Sequence, residues 1–138
     1  MSNEKGLNNN TIFPKGEQLP EKFSKYFIGQ AYLNMLTTTG VPIGNVTFEP
    51  KCRNNWHIHH KGGQILLVTG GRGWYQEWEK EPQELHTGDV VNIPPEVKHW
   101  HGAAKDSTFS HLAVEVPAED ASNEWLEVVT DDVYGKLK

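Results

Sequence analysis

The 138-residue chain contains a single cysteine, Cys52. An intrachain disulfide and a cysteine-built zinc site are therefore both excluded. No secretory leader is legible, and with cysteine this scarce the expected compartment is the cytoplasm. Long apolar runs are missing as well. Residues 65–68 are among the longest, far too short to cross a membrane, so no membrane partner is expected. Basic clusters are absent: Arg53, Lys61 and Arg72 are scattered, and the formal net charge is −5. That disfavours nucleic acid, which binds concentrated positive charge. There is no internal repeat, and the length suits one domain with a core large enough to need no staple.

What the chain does have is short strand-like runs. Residues 1–10 are polar and without periodicity, and a flexible arm is expected over 1–18, ahead of a single domain over 19–138. Beyond it, "YFIGQAYLNML", "IGNVTFEP", "QILLVTG", "GWYQEWE", "QELHTGDVVNIPP" and "HLAVEVP" recur about every 8–12 residues with Gly, Pro or Asp between them. This is the rhythm of an all-β antiparallel sandwich or barrel. In the tail, 118–137, "SNEWLEVV" offers Ser122 as a helix cap, while Val128, Val129 and Thr130 favour a strand; both remain open.

Three of the seven histidines fall in "NNWHIHHKGGQ". On a strand, His57 and His59 at i and i+2 share a face and converge, as two ligands of one metal must. The alternative is a pair of inward histidines bonded to polar neighbours. His60 is one residue out of step and faces the other way. Gly62 and Gly63 suggest a tight bend that returns the chain antiparallel, so that Gln64 opens the next strand beside the histidines. Its carbonyl oxygen can ligate a metal or cap a strand end. Downstream, His99 and His101 of "KHWH" again share a face.

Taken together, the two segments resemble the cupin family, whose motifs read G-x5-H-x-H-x3,4-E-x6-G and G-x5-P-x-G-x2-H-x3-N. His57, His59 and Gly71 match the first, over about 51–71, with Gln64 where the family usually has glutamate. Gly88, Pro94 and His99 match the second, over about 88–103. Lys51 and Glu96 stand where the family has glycine, and Ala103 where it has asparagine. The resemblance spans about 43–116 and implies a cupin-type β-barrel or double-stranded jelly roll. It further implies one divalent metal on His57, His59, Gln64 and His99, and frequent dimerisation, here a homodimer.

Three imidazoles and an amide would leave a divalent ion its full +2 charge, making it a stronger Lewis acid. Mixed nitrogen and oxygen ligation suits manganese, iron, cobalt, nickel or zinc. His101 shares the face of His99. A strand returning through 103–107 sets His111 opposite the same region, so each is either a free base beside the metal or a structural histidine. Trp56, Trp74, Tyr75, Trp78, Trp100 and Phe109 either line a pocket for a ring-bearing substrate or fill the core and an interface.

The string "KHWHGAAKDSTFSHLAVEV" is similar to a subgroup of small single-domain bacterial cupins that includes manganese-dependent hydroxynitrile lyases. That likeness makes manganese the expected metal. Relatives often carry a carboxymuconolactone decarboxylase label because the two domains occur fused, but one cysteine cannot supply a C-x-x-C pair. The resemblance thus implies a lyase for a cyanohydrin or small carbonyl substrate, with His111 or His101 moving the proton. The alternative is a non-catalytic, metal-dependent small-molecule binding or sensor module.

Overall fold

A computed structural model describes residues 12–138. Among the described residues twelve strands, all antiparallel, curl into a jelly-roll barrel with two short helices. The first half contains β1 (Glu17–Gln18), β3 (Ala31–Thr37), β4 (Ile43–Phe48), β9 (Val90–Ile93) and β11 (Phe109–Glu115). The second contains β2 (Phe27–Ile28), β5 (Arg53–Asn54), β6 (His57–His60), β8 (Gln83–His86), β10 (His99–Ala103) and β12 (Ser122–Trp125). The 14-residue β7 (Gln64–Glu77) belongs to both. Its first part pairs β11 and β9, and its second part pairs β10 and β8.

The change of partners along β7 is written in its alternation. Leu66 and Val68 are buried, then Gly73 and Tyr75, so the inward parity slips by one between them. Gly71 sits at the slip with φ +75°, and a Cβ there would lie 1.8 Å from Thr108 O. Only glycine can supply that backbone at that distance. The slip keeps both ends of β7 facing one interior, where Phe48, Leu66, Tyr75, Leu85, Ile93 and Phe109 pack.

Strand β10 is buried on both faces. Its inward face carries His99 and His101. Its outward face carries Trp100, covered by Trp56, Val129, Tyr134 and Leu137. Arg53, 3% exposed, fastens this cover. Its Nε and Nη2 donate to Val129 O at 3.1 and 2.8 Å, and its guanidinium lies 4.2 Å from the Tyr134 ring centre. Tyr134 Oη in turn donates to Ala103 O.

Several expectations need correction. The arm expected over 1–18 falls partly outside the described residues. Within them, Glu17 and Gln18 pair with Leu33 and Tyr32, and the carbonyls of Phe13 and Pro14 accept from Asn45. The chain is therefore tied to the sheet at Phe13, Pro14, Glu17 and Gln18. The Gly62–Gly63 bend does not close a hairpin. Three successive residues with positive φ (Lys61, Gly62, Gly63) carry the chain from β6 to the opposite half. The tail is neither all helix nor all strand: β12 pairs β6, and α2 (Asp131–Tyr134) follows with Thr130 as its cap. Lys51 and Glu96 adopt φ of 75° and 70°, so both hold the left-handed backbone that glycine favours at those places.

Candidate metal centre

Strand alternation sends His57 and His59 inward from β6, and His99 and His101 inward from β10, with His57 and His99 register partners. The His57 and His99 ring centres lie 4.1 Å apart, and His59 is 5.1 and 5.0 Å from them. Gln64 opens β7 at the same cavity, a hollow of about 120 Å³ also lined by Phe27, Val46, Asn123 and Trp125. The sequence-chosen residues His57, His59, Gln64, His101 and His111 all line it.

The hydrogen bonds sort the imidazoles. His57 Nδ1 donates to Asn55 O at 2.8 Å, His99 Nδ1 to Val97 O at 2.9 Å, and His59 Nδ1 to Asn123 Oδ1 at 2.7 Å. An oxygen acceptor on Nδ1 places the proton there and leaves Nε2 with its lone pair. His59 Nε2 and His99 Nε2 are buried with no partner among the described residues. This is the posture of a ligating histidine, pinned through its far nitrogen.

His101 is arranged the opposite way. Its backbone N–H donates to Asn54 Oδ1 at 2.9 Å, which orients that amide. Asn54 Nδ2 then donates to His101 Nε2 at 3.2 Å. The neutral ring therefore carries its proton on Nδ1, toward the interior, as a donor. By distance alone His57, His99 and His101 form a metal-capable triad, with one ring nitrogen of each within 4.8 Å of the others. By hydrogen bonding, the free lone pairs belong to His57, His59 and His99. Either reading gives neutral nitrogen donors suited to a divalent ion.

His111 is fully buried, 4.9 Å from the His101 ring, and neither of its nitrogens has a partner among the described residues. It arrives by a different route from the one expected. β11 pairs β4 and β7, not β10, so His111 sits beside Val46 and Val68 and meets His101 across the barrel interior. Burial pushes the pKa values of His99 and His111 down to about 4. Those of His57 and His101 also fall well below the usual range, for the same first cause. Desolvation thus keeps these rings neutral at pH 7, as metal ligands and bases must be.

Other expectations fare differently. Trp100 and Phe109 do not reach the cavity: Trp100 faces the outer cluster, donating to Gln76 Oε1, and Phe109 packs in the core. The aromatic walls are Phe27, Phe48 and Trp125. Cys52 is buried and its thiol is pushed up to about 12, first by burial, so it behaves as a small apolar side chain. His60 faces outward between Glu96 and Glu124, as its position one residue out of step implied. Sequence reasoning missed Asn54, Asn123 and Trp125. Asn123 and Trp125 are i and i+2 on β12, opposite His59 and His57, and Trp125 stacks on His57 at 4.6 Å.

A β-barrel with inward imidazoles able to hold one metal defines a metallo-barrel of the cupin kind. The cupin domain family Cupin_2 matches residues 44–115, more than half of the chain, and the chain belongs to that family. It is 46% identical over 90 residues to an (R)-mandelonitrile lyase of Granulicella tundricola, covering 65% of this chain and 68% of the relative. A crystal structure of a cupin-like protein from Thermotoga maritima is 41% identical, with a TM-score of 0.83 over 92% of this chain and 96% of that one. A cupin 2 conserved barrel domain protein from Rhodopseudomonas palustris shares the fold at 16% identity, with a TM-score of 0.66 over 87% and 80% of the two chains.

Proposed function

We propose that this cupin is a metal-dependent lyase that cleaves cyanohydrins, with one manganese ion held by His57, His59, Gln64 and His99. The observation that carries the reading is the set of three pinned imidazoles, each with Nδ1–H committed to an oxygen and Nε2 left free, beside two further buried imidazoles. Bound there, the ion would act as a Lewis acid toward the substrate oxygen.

The chain's own groups then divide the work. His111 accepts the hydroxyl proton at a ring nitrogen. The bond between carbon and cyanide breaks, the carbon–oxygen bond becomes a carbonyl, and cyanide leaves with the electron pair. It takes the same proton back from His111 as HCN, which returns His111 to its neutral form. His101 offers its Nδ1–H as a hydrogen-bond donor to a polar group of the substrate. The ring of an aromatic cyanohydrin rests against Phe27, Val46 and Trp125. These three also line a neighbouring apolar hollow of about 170 Å³, completed by Leu19, Phe23 and Leu33.

The test is aldehyde release from mandelonitrile by manganese-loaded protein, followed by ultraviolet absorbance, against a panel of aliphatic cyanohydrins. Turnover that disappears with the metal supports the reading. Tight binding of the aldehyde without turnover replaces it with a binding module. We place the protein in the cytoplasm on its lone, buried cysteine, and as a homodimer. Support for the dimer is the edge of β3 beyond Leu33, unpaired on one side among the described residues and carrying an exposed Met35. Light scattering that returns a single-chain mass would remove the dimer.

A further inference from the structure

Gln64 and Glu115 are register partners at the ends of β7 and β11. Directly opposed residues of an antiparallel pair share a face. The inward row Val68, Leu66, Gln64 thus runs beside the inward row His111, Ala113, Glu115. Gln64, His111 and Ala113 line the cavity, and Gln64 Nε2 donates to Glu115 Oε2.

An ionised carboxylate only accepts, so it selects the nitrogen end of the amide. The carbonyl oxygen of Gln64 is thereby turned away from Glu115. Without such a partner the amide can rotate and present its NH₂, which has no lone pair for a cation. The bond also bears on charge. Three neutral imidazoles and a neutral amide leave a divalent ion uncompensated, and Glu115 is the carboxylate one hydrogen bond behind that set.

We infer that Glu115 is a positioning residue for the metal centre. It fixes Gln64 with its oxygen toward the His57, His59 and His99 nitrogens, and returns the negative charge that a glutamate ligand would have carried. This rests on the ligand set proposed above.

The test is manganese affinity, measured with the metal alone by competition against a chromophoric chelator. Glu115→Ala removes the acceptor and the charge, and weakens binding about 10–100-fold, the usual worth of an outer partner of a ligand. Glu115→Gln keeps an acceptor and loses the charge, and falls between. The exchange Gln64→Glu with Glu115→Gln restores one carboxylate and one amide in reversed order, and recovers affinity to within a few-fold of wild type. A merely structural role would not be rescued by that exchange. Wild-type affinity in Glu115→Ala would overturn the inference, as would an exchange variant no tighter than Glu115→Gln alone. If Glu115→Ala does not fold, the last comparison decides by itself. Failure of the ligand set reads separately, as wild-type manganese binding that His57→Ala leaves intact.

Discussion

The buried neutral histidines make the metal-free barrel sensitive to acid, by an amount that can be worked out. His111 is fully buried and its pKa falls to about 4 from an ordinary 6.5. In the unfolded chain the same ring takes a proton near 6.5, so between 6.5 and 4 the unfolded state binds more protons. Stability therefore rises with pH through this window, is fully present above it, and is lost as pH falls toward 4. At pH 5 the loss from one such ring is about 2 kcal/mol relative to pH 8. His99, also pushed down to about 4, adds a similar amount. Together they remove about 4 kcal/mol from a domain whose total stability is on the order of 5–15 kcal/mol. His60 opposes this, since its bonds to Glu124 and Glu96 raise its pKa, but it is exposed and contributes little. The assay is urea unfolding of metal-free protein at pH 8 and pH 5, for wild type and for His111→Leu. The variant should lose about 2 kcal/mol less than wild type over that interval. Equal losses in the two proteins would show that His111 is not held neutral by burial.

Three further outcomes follow from the same contacts. Arg53→Met strips Val129 O of two charged donors and Tyr134 of its stacked cation, and should lower unfolding stability by about 2–3 kcal/mol, most visibly as protease cleavage within 129–138. The ion pair to Asp131 adds little to that figure, because the carboxylate is 98% exposed. His111→Ala should keep the metal and lower turnover by about 10²–10⁴-fold; full activity with full metal would remove His111 from the proton transfer. Trp125→Ala, which removes a cavity wall and the stack on His57, should raise KM for aromatic substrates more than for small aliphatic ones, in steady-state assays of manganese-loaded protein.

Much of the site was legible because strand alternation is local. The pairs 57 and 59, and 99 and 101, needed only a period of two to be placed inward, and the spacing of the two motifs located Gln64. What sequence could not supply was register between distant strands. His111 was expected beside His101 as a hairpin neighbour, yet it comes from the other half of the barrel, because β7 changes partners at Gly71. Asn123 and Trp125 were hidden in a tail whose residues suit helix and strand equally, and pairing with β6 decided between them. For Trp100 and Phe109 the choice between pocket and core was open in the sequence. Phe109 packs in the barrel core, and Trp100 faces the back of doubly buried β10, a side that could be known only from what covers it, here Tyr134 and Leu137.

The most direct measurement is manganese content per chain, on protein purified without immobilised nickel, for wild type and for His57→Ala combined with His99→Ala. One ion per chain in wild type, and none in the double variant, is the expected result. Equal metal in both proteins, or none in wild type after manganese is supplied, would contradict a metal centre on these imidazoles and the lyase chemistry built on it.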